Sequence, residues 1–153
     1  MSWLSGYNYR KKITISNTYV DSDLSNFPLL VAFTNDSGIG AHMQDTTNYY
    51  DIRFTDSDES TLLKYEKESM SISGGQATGN YWVKVPTIYK TPTGDQNIIY
   101  VYYGKAGDTD GSDKNNVWDS NFKGVWHLPN GTTLTANDSL KSSTVILSKD
   151  FLI

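Results

Sequence analysis

The acidic residues that come nearest to the spacing of metal ligands are Asp108, Asp110 and Asp113. Carboxylate oxygens at alternate positions of a loop are the hard ligands that Ca²⁺ takes, and this stretch resembles the beginning of a calcium-binding loop. However, Gly111 falls too early for such a loop, and no glutamate follows at the distance needed to bind the ion through both oxygens. The sequence therefore predicts no metal site. Calcium is the alternative, and these three aspartates are its candidate ligands.

A second acidic stretch contains Asp56, Asp58 and Glu59. Its carboxylates could share a cation. Aspartate and serine are also common in tight turns, because their side chains hydrogen-bond to the nearby backbone. Strand-like residues flank the stretch on both sides. We therefore predict a hairpin turn here, with calcium binding as the alternative.

Aromatic side chains are candidates for ligand binding, because the C–H face of a sugar ring can stack on an aromatic ring. The chain has 11 tyrosines and 4 tryptophans. Tyr49, Tyr50, Trp82 and Tyr89 lie in or near loops or on alternating faces of strands, where they could be exposed. Packing against the protein interior is the favoured interpretation, and these four are the ligand-binding candidates.

No set of residues has the spacing of a catalytic site. His42 and His127 are the only histidines, and cysteine is absent, which argues against a zinc site. The chain contains neither the Gly-x-Ser-x-Gly motif of a nucleophile elbow nor a glycine-rich phosphate loop. His127, between Trp126 and Leu128, is predicted to be a packed strand residue. The sequence thus predicts a protein that is not an enzyme and needs no cofactor.

The composition argues against several classes of partner. The 153 residues carry a net charge of −4, so the chain lacks the basic surface that attracts nucleic acid. No apolar run approaches the roughly 18 residues of a spanning helix, which predicts no membrane insertion. Residues 1–4 show no charged and apolar regions of a signal peptide.

Alternating apolar and polar residues predict an all-β fold. Residues 29–33 and 97–103 are apolar on both faces and are predicted to be central strands. With turns about every eight to twelve residues, the pattern predicts an antiparallel, jelly-roll-like β-sandwich with at most one or two short helical turns. The other predicted strands are residues 7–16, 52–55, 62–69 (an edge strand), 81–85, 144–147 and 151–153.

Turn-forming residues predict how the strands are connected. Pro28 is expected at the start of one strand and Pro86 at the end of another, because proline cannot donate to a ladder. The glycine-rich residues 71–80 are predicted to be a flexible connection. A short helical turn is predicted after Asp36 or Ser37, either of which could cap it.

Six strings occur in an order and spacing that identify a family resemblance. They are YRKKITI, DIRFTDSD, TLLKYE, YWVKVP, IYVYYG and VWDSNFKGVWHL, which begin at Tyr9, Asp51, Thr61, Tyr81, Ile99 and Val117. The series resembles a domain of unknown function found in bacterial, archaeal and phage surface proteins. In that family the domain commonly precedes a concanavalin A-like, laminin-G-type lectin domain. The resemblance covers residues 7–128.

The resemblance implies a β-sandwich accessory module with no established enzyme activity. The segment VWHL normally opens the lectin domain, which itself needs roughly 100 residues, whereas only 25 residues follow Leu128. A complete lectin domain is therefore not expected. We expect residues 1–128 to form the sandwich module. Residues 129–153 are expected to form a tail, either the vestigial start of a lectin-like domain or a strand exchanged with a neighbour.

Two hypotheses for the function follow from these observations. The first is a non-enzymatic structural or adhesive module of a virion (a phage capsid or tail) or of a cell-surface assembly. Such a module would act through protein–protein contacts, as a homo-oligomer or part of a larger assembly. The alternative is a carbohydrate-binding module of a surface or secreted protein, with a surface glycan as its ligand. Both place the chain in a virion, outside the cell or on its surface.

Overall fold

A computed structural model describes residues 3–118, 120, 122 and 124–127, together with the backbone of residues 136–138 and 144–145. Strands make up most of the regular structure, which confirms the predicted all-β fold. The elements are β1 (Tyr9–Thr14), β2 (Leu24–Asp36), α1 (Ser37–His42), β3 (Ile52–Thr55), β4 (Tyr65–Ser73), β5 (Gln76–Ile88), β6 (Ile98–Tyr103), α2 (Lys114–Val117), β7 (Trp126–His127), β8 (Ala136–Asp138) and β9 (Thr144–Val145).

Two antiparallel sheets of three strands form a sandwich. Their strand orders are β1-β6-β3 and β2-β5-β4. Thus β1 pairs with β6 and β2 with β5, after which β3 returns to β6 and β4 to β5. This winding is that of a jelly roll, with six strands in place of the usual eight. The predicted jelly-roll-like sandwich is confirmed, and a short third sheet, β7-β8-β9, follows it.

The core lies between the two sheets and is built by alternation along the strands. In β5, Tyr81, Val83 and Val85 are buried between the sheets, because successive side chains of a strand point to opposite faces. In β6 both faces are covered: Val101 belongs to the core, and Tyr102 is buried on the outer face. Strand β6 has a partner on each side, as predicted for residues 97–103.

The prediction that residues 29–33 form a central strand is wrong. These residues belong to β2, which lies at the edge of its sheet, and β5 is the central strand. Their outward side chains are apolar without being buried: Leu30 remains 46% exposed. Pro28 lies inside the strand rather than at its start, which an edge position tolerates because one side of the strand needs no ladder donors.

The predicted flexible connection at residues 71–80 is a β-hairpin instead. Strands β4 and β5 pair through Ser73 and Gln76, and Gly74 and Gly75 form the two-residue turn. Their φ angles of +57° and +73° are the positive values that such a turn requires at both positions. Strand β5 also continues through Pro86 to Ile88.

The acidic residues 56–60 form the predicted hairpin turn, since the amide of Asp56 donates to the carbonyl of Thr61 and the amide of Leu63 to that of Phe54, each at 2.9 Å. The turn leads from β3 in one sheet to β4 in the other, and a single bridge joins Thr55 to Leu62. The Asp58 carboxylate accepts hydrogen bonds from the backbone of Ser60 at 3.0 Å and of Thr61 at 2.8 Å. The Thr61 hydroxyl also donates to this carboxylate, and together these hydrogen bonds lower the pKa of Asp58 to about 2.

The helical and C-terminal predictions have mixed outcomes. Asp36 caps α1 by accepting a 3.0 Å hydrogen bond from the amide of Ile39, as predicted. Strand β9 confirms part of the predicted strand 144–147, whereas residues 151–153 lie outside the described residues. Neither helix in the described part of the chain has the length and apolar character to cross a membrane.

Candidate interaction site

The structure surrounds the calcium candidate Asp108 with protein groups. Its side chain is 5% exposed, and its oxygens lie 3.2 Å from Lys105 Nζ and 3.3 Å from Arg53 Nη2. The hydroxyl of Tyr7 donates to the same carboxylate. Burial alone would raise the pKa of Asp108, but the Tyr7 hydrogen bond and the charges of Arg53 and Lys105 bring it below its ordinary value. Burial and this bond raise the pKa of Tyr7.

The other two calcium candidates have different partners. Asp110 accepts a 2.9 Å hydrogen bond from the amide of Ser112. Asp113 lies 2.8 Å from Lys64 Nζ and accepts two hydrogen bonds from the Asn116 amide group. Among the described residues, no three acidic or histidine side chains converge as a metal-binding group. Calcium binding at these aspartates stays a prediction.

Arg53 organises the loop that contains these aspartates. Its guanidinium donates to the carbonyl oxygens of Tyr50 at 2.8 Å, Ile52 at 2.7 Å and Thr109 at 2.8 Å. The guanidinium also lies against Gly111, where an added Cβ would fall 2.2 Å from Arg53 Cζ. The glycine that arrives too early for a calcium loop is therefore the residue that lets this loop approach the arginine.

We call the side of the sandwich where β3 and β4 form the sheet edges the closed side. Residues of the loop 104–118 contact it: the carbonyl of Thr109 accepts a 2.8 Å hydrogen bond from Arg53 of β3, and the amide of Asp113 donates a 2.8 Å hydrogen bond to the carbonyl of Tyr65 at the start of β4. A bridge there pairs Thr55 of β3 with Leu62, which precedes β4. The carbonyl oxygens of Ile52, Phe54 and Tyr65 along these edges thus accept hydrogen bonds from within the chain, which leaves fewer backbone groups able to pair with another protein.

The four aromatic candidates lie at three separate places. Tyr49 and Tyr50 are adjacent, and Lys67 Nζ lies 5.9 Å and 5.1 Å from the centres of their rings. Tyr89 exchanges backbone hydrogen bonds with the side chain of Asn97 and lines a pocket of about 210 Å³. The structure therefore brings Tyr49 and Tyr50 together and leaves Tyr89 apart.

Trp82 belongs to a cluster on the outer face of the β2-β5-β4 sheet. Its indole N–H donates to Glu68 at 2.7 Å, and that of Trp118 donates to Glu66 at 2.8 Å. The ring nitrogens of His127 lie 3.4 Å from Glu66 and 3.5 Å from Glu68. His127 is packed as a strand residue, as predicted. Sequence reasoning missed the glutamates, because an edge strand is expected to carry solvated charges, whereas Glu66 is 7% exposed.

A groove lies on the opposite side of the sandwich, between β1 and β2. It measures about 510 Å³ and is lined by residues 11–16, 29–33 and Asp36. Ile13, Ile15, Leu29, Val31 and Phe33 all belong to or pack against the core, so the groove opens directly onto the interior. We call this side the open side.

Within the described residues, neither β1 nor β2 has a strand partner along the groove. The two strands differ in how they are protected against pairing. Strand β1 (YRKKIT) has three basic residues in six, which is the usual protection of an edge. Residues 24–33 of β2 (LSNFPLLVAF) contain no charged side chain. This uncharged edge beside an apolar groove is what the sequence interpretation missed by treating residues 29–33 as central.

The charges around the groove are mainly positive. Lys11 points across the end of the groove and pairs with Asp36. Burial by itself would raise the pKa of Asp36, but the hydrogen bond from Lys11 holds this pKa below its ordinary value. Lys12 also lines the groove and has no ion-pair partner among the described residues. The site therefore combines a free backbone edge, an apolar floor and an unpaired cation.

Comparison with known proteins identifies a family, but no individual protein that is similar to this chain. No curated protein and no solved structure matches the chain. The family model described as "Domain of unknown function (DUF2341)" matches residues 48–132, which is more than half of the chain. Five of the six strings that carry the resemblance fall within this range. The chain therefore belongs to the family of the domain of unknown function DUF2341.

Proposed function

We propose that the protein is a non-enzymatic structural or adhesive module that acts through protein–protein contacts in a virion or a cell-surface assembly. The observation that supports it is the open side, where an uncharged edge strand lies beside a groove into the core. Monomeric proteins ordinarily cover or charge such an edge, because it pairs readily with other polypeptides. The assignment to a surface assembly rests on the family resemblance.

The proposal is tested by photo-crosslinking in cells of the source organism. A photoreactive phenylalanine analogue replaces Leu30 on the open side, and in a matched variant it replaces Leu62, which is 55% exposed on the closed side. We expect a covalent protein adduct of discrete mass from position 30 and none from position 62. The absence of an adduct at position 30, or equal adducts at both positions, would contradict the proposal.

Carbohydrate binding is the second candidate function. The adjacent rings of Tyr49 and Tyr50 support it, since both are partly exposed and Lys67 lies beside them to donate to a hydroxyl group. Under this function the chain binds members of a glycan array, and binding is lost in Tyr50→Ala. An array without signal would remove this candidate and leave the first unaffected.

A further inference from the structure

We propose that the open side binds an extended, acidic segment of a partner polypeptide, which adds a strand to β2 and places alternate apolar side chains in the groove. This inference deepens the proposed function and rests on it. It concerns the chemistry of the partner, which the proposed function leaves undefined.

The first argument is the comparison of the four edge strands of the sandwich. Strand β3 and the start of β4 are hydrogen-bonded to residues 109–113, β4 carries Glu66, Lys67 and Glu68, and β1 is protected by its basic residues. Strand β2 is longer than the other three, with 13 residues, and has neither protection along residues 24–33. An exposed, uncharged edge is the template for strand addition, in which main-chain hydrogen bonds provide affinity.

The second argument is the shape of the site beside that edge. A strand added to β2 points every second side chain toward the groove. There these side chains meet Ile13, Leu29 and Val31, which are core residues or pack against the core. Because Pro28 has no N–H, the new ladder is expected along residues 29–33. That length corresponds to a typical strand of about five residues.

The third argument is charge, and it favours a partner over a second copy of this chain. Strand β1 follows the other wall of the groove, with Lys11 and the unpaired Lys12. Pairing of two copies through β2 would bring the basic β1 strands of both copies together, which like charges disfavour. A segment with carboxylates instead provides Lys12 with the opposite charge. The partner is therefore apolar at alternate positions and acidic between them.

The test uses a synthetic peptide, acetyl-TVEVEVT-amide with a fluorophore, and the purified chain. We expect saturable binding by fluorescence anisotropy and slower amide hydrogen exchange in residues 29–33. Leu30→Glu should weaken binding by about tenfold, which corresponds to about 1.4 kcal/mol. The matched variant Leu62→Glu on the closed side should bind as the unaltered chain does. Both leucines are exposed, so neither variant removes core contacts.

A charge exchange makes the test independent of Leu30. Lys12→Glu should weaken binding of the acidic peptide and strengthen binding of acetyl-TVKVKVT-amide, in which lysine replaces glutamate. Failure of the acidic peptide to bind, protection outside β2, or equal binding to all variants would overturn the proposal. A dimer that light scattering detects without peptide and that Leu30→Glu dissociates would also overturn it, because the occupant would then be a second copy.

The two proposals can fail separately. If position 30 forms a protein adduct in cells but the acidic peptide does not bind, the module has a partner of another chemistry, and the strand proposal is wrong. If the peptide binds but no adduct forms at position 30, the strand site exists and the proposed function is wrong.

Discussion

Both sides of the sandwich have sheet edges whose backbone groups could pair with another polypeptide, and the two sides differ in how these edges are protected. On the closed side, residues 104–118 are held against β3 and the start of β4, and Arg53 binds the carbonyl oxygen of Thr109 and the carboxylate of Asp108 in this loop. On the open side, a single ion pair, Lys11–Asp36, crosses the end of an apolar groove. A loop that is hydrogen-bonded to sheet edges occupies backbone groups that could otherwise pair with another polypeptide, whereas residues 29–33 of β2 have no strand partner on the groove side among the described residues.

The two sides also differ in their relation to the family. Strands β3 and β4 and the loop 104–118 fall within residues 48–132, the range that matches the family model. Strands β1 and β2 precede that range. The matched range thus contains the complete closed side, and the residues that form the groove are outside it.

Removal of the Arg53 guanidinium should produce the largest difference between the two sides. In Arg53→Ala, Asp108 keeps its buried position and its contact with Lys105 but loses the charge of Arg53. The carbonyl oxygens of Tyr50 and Thr109 lose the donor that the guanidinium supplies. We expect a loss of about 3–5 kcal/mol in the free energy of unfolding, as for other buried pairs that lose one member. Urea denaturation measures it. Lys12→Ala on the open side is the control and should cost less than about 0.5 kcal/mol.

Acid should weaken the closed side through Asp108. Its pKa in the folded chain is below the ordinary value of about 3.9, so its stabilising contribution is present above that pH and is lost as pH falls through the folded pKa. Asp108→Asn should lower stability at pH 7 by about 2 kcal/mol and reduce the fall in stability below about pH 4. Thermal melting between pH 2 and 7 tests this expectation. A variant with an unchanged acid slope would show that Asp108 does not contribute.

Two buried tyrosines allow a finer comparison. The Tyr65 hydroxyl on the closed side donates to the carbonyl of Ile52 at 2.9 Å, whereas the Tyr81 hydroxyl in the core has no hydrogen-bond partner among the described residues. Tyr65→Phe should cost about 1–1.5 kcal/mol, and Tyr81→Phe should be neutral or stabilising, because an unpaired buried hydroxyl costs free energy. Chemical denaturation of both variants measures these changes in the free energy of unfolding. Equal losses would mean that the Tyr65 bond contributes nothing specific.

The smallest effect on stability is expected at the ion pair of the open side. The Lys11 side chain is 42% exposed, and pairs of this kind contribute less than about 1 kcal/mol. Lys11→Met should therefore leave the melting temperature nearly unchanged. It should increase association, because it removes a charge that points inward from an edge strand. Light scattering at increasing protein concentration measures this, and a variant that stays as monodisperse as the unaltered chain would contradict it.

Local chemistry in the sequence was sufficient to predict much of the fold. Alternation predicted the strands, aspartate predicted the cap of α1, and the β-branched and aromatic residues 97–103 predicted the central strand β6. The periodicity of a sequence does not indicate which strands lie beside a given strand in a sheet, however. Residues 29–33 are as apolar as β6, and only the tertiary arrangement places them at an edge.

The candidate site could be predicted less well, for a related reason. A groove depends on which strands lie side by side, and β1 and β2 are joined in sequence but belong to different sheets. The sequence offered Asp108 and Asp113 as candidates for calcium, whereas the partners that they have in the structure, Arg53 and Lys64, are about 50 residues away in the sequence. Pairings over such a separation are fixed by the fold rather than by local spacing.

Asp36 gives the open side a native spectroscopic reporter. One of its oxygens binds Lys11 at the end of the groove, and the other accepts the amide hydrogen of Ile39, a fully buried residue of α1. If the proposed partner carboxylate draws Lys11 away, Asp36 loses its ion pair, and we expect the resonance of the Ile39 amide that donates to Asp36 to shift. Occupancy of the groove can therefore be followed at one backbone amide, in an unmodified chain and without a label at the site.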